Sequence, residues 1–130
     1  MEDSIFTKII KGELPAHKVY EDDLTLAFLT INPVRDGHVL VIPKQQVDSL
    51  WDLEDSLYQA LMDAVKKVAR RVDEVLHPVR VGIHVAGLEV PHAHVHILPF
   101  STIDEFLAHP SGKEPDHVAL AAMAQKLYFK

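Results

Sequence analysis

Residues 92–97 read His92-Ala93-His94-Val95-His96-Ile97, a strict alternation of imidazole and aliphatic side chains. Successive side chains of an extended strand point to opposite faces, so His92, His94 and His96 share one face. Ala93, Val95 and Ile97 then turn the other way, toward a helix or a core. On a helix the same three imidazoles fan out over roughly 400° and form no common site. The pattern predicts a strand from Ala93 to Leu98, ended by Pro99, and so commits the chain to a sheet with one apolar-covered face.

The remaining segments fit around that sheet. Ser4 is placed to cap a short helical turn over Ile5–Ile10, which Gly12 and Pro15 stop. Lys18–Glu21 and Thr25–Leu29 read as strands around an acidic turn at Asp22-Asp23. Asn32-Pro33 and Asp36-Gly37 mark a loop. His38–Ile42, with four consecutive aliphatics before Pro43, predicts a central strand covered on both faces. Leu57, Leu61, Val65, Val68, Val72 and Val75 recur every three or four residues, which predicts a helix from about Leu53 to Leu76. Asp52 or Asp55 is placed to cap it, and Pro78 forbids its continuation. Val79–Val85 reads as a strand, Gly87–Pro91 as a turn, 101–114 as irregular, and Asp116–Tyr128 as an alanine-rich helix. There is no internal repeat. The order predicts an α+β fold with a long helix packed on one face of an antiparallel sheet.

At 130 residues the chain reads as one domain, 1–130. A net charge of −6, from 13 Lys plus Arg against 19 Asp plus Glu, argues against a nucleic-acid partner gripped by a broad basic face. The absence of Cys excludes disulfides, thiolate metal sites and a thiol nucleophile. No apolar run approaches the roughly 18–20 residues that span a bilayer, so no membrane partner is expected. Acids near Met1, where a secretory signal carries bases, favour a cytoplasmic protein.

Nine His is the unusual count. Neutral imidazole is a nucleophile, and an ordinary pKa of about 6.5 leaves much of it uncharged at neutral pH. A middle nucleophile flanked by N–H donors suits attack on phosphorus, with the donors holding the oxygens where charge gathers. Attack by nitrogen leaves a covalent phosphoramidate that water cleaves. Metal binding is the alternative. His92 and His96 lie about 13 Å apart along a strand, too far to share one ion without a bend, but two of the three with His38 or His84 could. Simple packing is the third reading. His17, His77, His109 and His117 read as surface. Trp51 serves packing or a subunit contact, and Lys44 is a solvated charge or a phosphate ligand.

Residues 92–98 resemble the signature of the histidine triad (HIT) family, in which three His alternate with apolar residues. Phe28-Leu29-Thr30-Ile31-Asn32-Pro33, with Gly37 to Lys44, resembles the family's nucleotide-binding half, and Ile5-Phe6 through Tyr20-Glu21-Asp22 resembles its N-terminal block. Residues 4–100 are covered; 101–130 are a tail with a helix. The resemblance implies a five-stranded antiparallel sheet, one long helix packed on it, short N-terminal and C-terminal helices, and a homodimer.

It also implies a hydrolase acting at the α-phosphorus of a purine nucleotide, with no cofactor and no metal. His94 is then the nucleophile that carries the nucleoside monophosphate, most often AMP. His96 hydrogen-bonds the phosphoryl or leaving group, and His92 orients the array through a backbone carbonyl. His38 matches another site His. Phe6, Phe28, Ile31 and Leu40 match the base and ribose pocket. His at position 96, where a transferase branch has Gln, places the chain with the hydrolases. Nucleoside phosphoramidates, adenylylated amines and dinucleoside polyphosphates are the candidate substrates. The sequence departs from the family at Thr30, where Asp contacts the ribose, at Leu88-Glu89, where Gln-Ser or Gln-Thr contacts phosphate, and near His84, where the family has Asn. A non-catalytic nucleotide-binding dimer and a zinc-dependent hydrolase are the alternatives.

Overall fold

A computed structural model describes residues 2–130. Helix α1 (Ile5–Ile10) leads into strands β1 (Lys18–Glu21), β2 (Thr25–Leu29) and β3 (Val39–Pro43). A 3-10 turn (Leu50–Asp52) precedes the long helix α2 (Asp55–Leu76). Strands β4 (Arg80–His84) and β5 (Val95–Phe100) follow, then helices α3 (Ile103–Leu107) and α4 (His117–Leu127). The five strands form one antiparallel sheet in the order β1-β2-β3-β5-β4. The expected architecture is therefore present.

Every residue of β2 and β3 is buried, because both sheet faces are covered. On one face Ala27, Leu29, Val39, Val41, Val95 and Ile97 meet Leu61, Val65, Val68 and Val72 of α2 and Leu120 and Leu127 of α4. Each buried Leu or Val here stabilises the fold by roughly 1.5–3 kcal/mol. On the other face Leu26, Phe28, Leu40 and Ile42 meet Phe6 of α1. The strand alternation thus sends one set of side chains beneath α2 and the other into the layer that holds the imidazoles.

Three local expectations change. The strand read as Ala93–Leu98 runs from Val95 to Phe100, with Pro99 inside it. β5 pairs with β3 only as far as Ile97, so beyond that point one side of the strand needs no ladder donors and a proline is tolerated. The cap of α2 is Glu54, not Asp52 or Asp55; Asp52 closes the preceding turn and Asp55 sits in the first turn, against the positive helix end. His77 ends α2 in the left-handed conformation, φ 51°. Residues 101–114, expected to be irregular, contain α3. Its start is fixed by a capping box in which Thr102 Oγ1 accepts from the Glu105 amide and Glu105 accepts from the Thr102 amide.

Two glycines matter to packing around the site. Gly37 has φ +86°, and a Cβ there would lie 2.5 Å from Leu76 Cδ1 at the end of α2. Gly82 on β4 is covered by Phe106 and Phe100, whose ring atoms would lie 2.6 and 2.9 Å from an added Cβ.

Candidate active site

His92 and His94 precede β5, yet the alternation holds. Ala93, Val95 and Ile97 are in the core under α2, while the three His face the α1 layer. His92 is fully buried. Its Nε2 lies 2.8 Å from the Pro43 carbonyl oxygen, which can only accept, so the proton sits on Nε2. Nδ1 then accepts from Ser4 Oγ at 2.8 Å. The Ser4 hydroxyl in turn accepts from the Thr7 amide at 3.0 Å, as the cap of α1. Gln46 Oε1 accepts from the Ser4 amide and from Thr7 Oγ1, locking α1 to the loop after β3.

A carbonyl acceptor orients His94 as well. Its Nδ1 lies 2.7 Å from the His92 carbonyl oxygen and must donate to it. With its Nδ1 proton committed to that carbonyl, the Nε2 side of the ring is the one left for a lone pair. The ring of Phe6 stands edge-on to His94 at 5.1 Å and to His92 at 5.7 Å, and wedges both in place.

His38 and His96 form a second chain. The Val34 amide donates to His38 Nδ1 at 3.1 Å. His38 Nε2–H then donates to His96 Nδ1 at 2.9 Å, which leaves the His96 proton on Nε2. Burial holds His38 down at about 4, helped by the charge of His84. Burial likewise holds His96 down at about 3, with His84, His38 and His94 adding repulsion. Both are neutral at physiological pH, and the chain's polarity is set by a backbone N–H that cannot titrate.

A cleft of about 380 Å³ opens over this array. Thr30, His38, His84, Glu89, His94 and His96 line it, together with Leu88 and residues 106–110. Of the expected site residues, His94, His96, His38, Thr30 and Glu89 come together at the cleft, and His92 lies buried behind His94. Phe6, Phe28 and Leu40 are buried in one apolar cluster beside it. Ile31 does not reach it. Ile31 is 55% exposed and lines an adjoining hollow of about 220 Å³ with Pro33, Asp116 and Met123, which shares Asn32 and His38 with the cleft. His109, expected on the plain surface, lines the cleft, as does Phe106.

His84 is the residue the sequence placed only loosely. It pairs across the strands with His96, and the two rings stack 4.3 Å apart at 9°. Phe106 stands edge-on to its ring at 5.9 Å. Ring nitrogens of His38, His84 and His96 lie within 4.8 Å of one another. The hydrogen bonds disfavour using them as metal ligands, because His38 offers no free lone pair without giving up its bond to Val34 or to His96.

A family profile described as HIT domain matches residues 11–102. A HIT-like protein of Borreliella burgdorferi is 42% identical over 113 residues, covering 82% of this chain and 81% of that protein. The adenosine 5'-monophosphoramidase of Schizosaccharomyces pombe is 38% identical over 96 residues, covering 73% and 72%. The crystal structure of a HIT-like protein from Bartonella henselae superposes with a TM-score of 0.83 at 31% identity, covering 96% of this chain and 94% of that one.

Proposed function

The chain belongs to the HIT domain family, and from that premise we propose that it is a nucleotide hydrolase that releases a nucleoside monophosphate, AMP by preference, from a phosphoramidate or a dinucleoside polyphosphate. The observation that carries this reading is the bare Nε2 of His94, fixed by donation of Nδ1 to the His92 carbonyl oxygen and open to the cleft. In the first step that lone pair bonds to the α-phosphorus while the bond to the leaving group breaks. In the second, the oxygen of a water bonds to phosphorus as it gives up a proton to a base in the cleft, and the P–N electron pair returns to His94. His96, with its proton held on Nε2, donates to a phosphoryl oxygen throughout. His38 positions His96, and His92 positions His94. Thr30 and Glu89 border the bound nucleotide, and Phe6, Phe28 and Leu40 form the apolar floor beside the triad.

The test is His94→Ala. Turnover of an adenosine phosphoramidate falls by at least ~10³-fold while AMP binding stays within about threefold, since a nucleophile contributes to the reaction and little to the ground state. A slow substrate gives wild-type protein an adduct of nucleoside monophosphate mass at His94. Unaltered turnover in the variant ends the proposal.

We also propose a homodimer. β4 is an open edge of the sheet, and Val79, Ile83 and Val85 along it are exposed. Antiparallel pairing with a second copy satisfies the edge and covers these side chains.

A further inference from the structure

We infer that His84 is the general acid that protonates a departing amine, a role resting on the hydrolase reading above. An amine bound to phosphorus cannot leave as an anion; it must take a proton as the bond breaks. The His38–His96 chain cannot supply a net proton. Its far end is closed by the Val34 amide, which already fills His38 Nδ1, so neither ring can be recharged from that side. His94 has its one proton on Nδ1, pointing away from the cleft toward the His92 carbonyl.

His84 differs on each count. It is half-buried and lines the cleft, so solvent can reload it. Among the described residues, neither of its ring nitrogens has a hydrogen-bond partner. Its ring is nonetheless fixed, between the face of His96 at 4.3 Å and the edge of Phe106 at 5.9 Å. Gly82, two residues earlier on the same strand face, leaves the room in which Phe106 seats. The titratable groups sharing the cleft with it are His38, His94 and His96 on the strand side and Glu89 and His109 at the rim. Burial, then the charge of His94, lowers its pKa, which makes its imidazolium a stronger acid, and an incoming phosphate anion favours the charged ring.

The step balances. The His94 Nε2 lone pair forms the P–N bond, and the bond from phosphorus to the amine nitrogen breaks. The pair left on that nitrogen takes the His84 proton, so a neutral amine departs and His84 becomes neutral imidazole. In the second step His84 accepts a proton from the attacking water. The oxygen bonds to phosphorus, and the P–Nε2 electrons return to His94.

Two substrates with one nucleotide half separate the role. A nucleoside phosphoramidate needs a proton on its leaving group; the mixed anhydride of a nucleoside monophosphate with sulfate does not. His84→Asn and His84→Gln are expected to lose about 100-fold or more in kcat on the phosphoramidate and less than about threefold on the sulfate anhydride. Added imidazole restores part of the phosphoramidate rate to His84→Gly. Equal losses on both substrates, or none on either, overturn the assignment and leave His84 a packing residue. Wild-type protein that cleaves neither substrate overturns the hydrolase reading, and this one with it.

Discussion

Ser4 joins three requirements in one hydroxyl. It caps α1, it fills the Nδ1 of a fully buried His92, and its own amide ties to Gln46. Ser4→Ala removes a helix cap and strands a buried ring nitrogen, each worth about 1–2 kcal/mol. We expect a loss of roughly 2–3 kcal/mol in urea denaturation, with turnover reduced through misplacement of His92. A loss below 0.5 kcal/mol would show that the hydroxyl is not holding the ring. The capping role was legible from Ser4 and the segment after it. The bond to His92 was not, because the two residues are 88 positions apart and meet only when α1 lies across the sheet. The triad itself was readable because its spacing lies within one segment. His84 was not fully readable, since its meeting with His96 depends on the register of β4 against β5.

At the scale of elements, the strands and both long helices were legible in their periodicity, and their ends shifted by one or two residues. α3 was missed although Thr102 and Glu105 form a visible capping pair, because the helix has only five residues and no apolar repeat. What holds it is Phe106, seated over Gly82 between Phe100 at 4.8 Å and His84 at 5.9 Å, with an ion pair between Glu105 and Arg35 at 2.9 Å. Gly82→Val forces Phe106 off its seat. Faster amide exchange over residues 103–110 is the expected result, with global stability lowered by about 1–3 kcal/mol. Exchange unchanged in that segment would mean that Phe106 is not the anchor.

For the whole molecule, the buried imidazoles set an acid limit. His38 and His96 titrate at about 4 and about 3 when folded, against an ordinary value of 6.5. Between those values the unfolded chain binds more protons than the folded one. Their contribution is complete above pH 6.5 and is lost as pH falls toward 4 and 3. The expected slope is at most ~1.4 kcal/mol per pH unit for each proton taken up on unfolding. Urea midpoints measured from pH 7.5 to 4.5 check this, and His38→Gln flattens the curve. A flat wild-type curve over that range refutes it. The assembly is tested by light scattering: wild-type protein is expected at twice the 14.6 kDa chain mass, and Ile83→Lys at the chain mass.

The contact of Gly37 with Leu76 places the last turn of α2 directly behind the residue that precedes His38. Any side chain at 37 would act as a wedge, prying the imidazole away from its neighbour from behind. A rotation of the long helix would push on the same spot. The long helix on the opposite face of the sheet is thus the anvil against which the reactive pocket is held in shape.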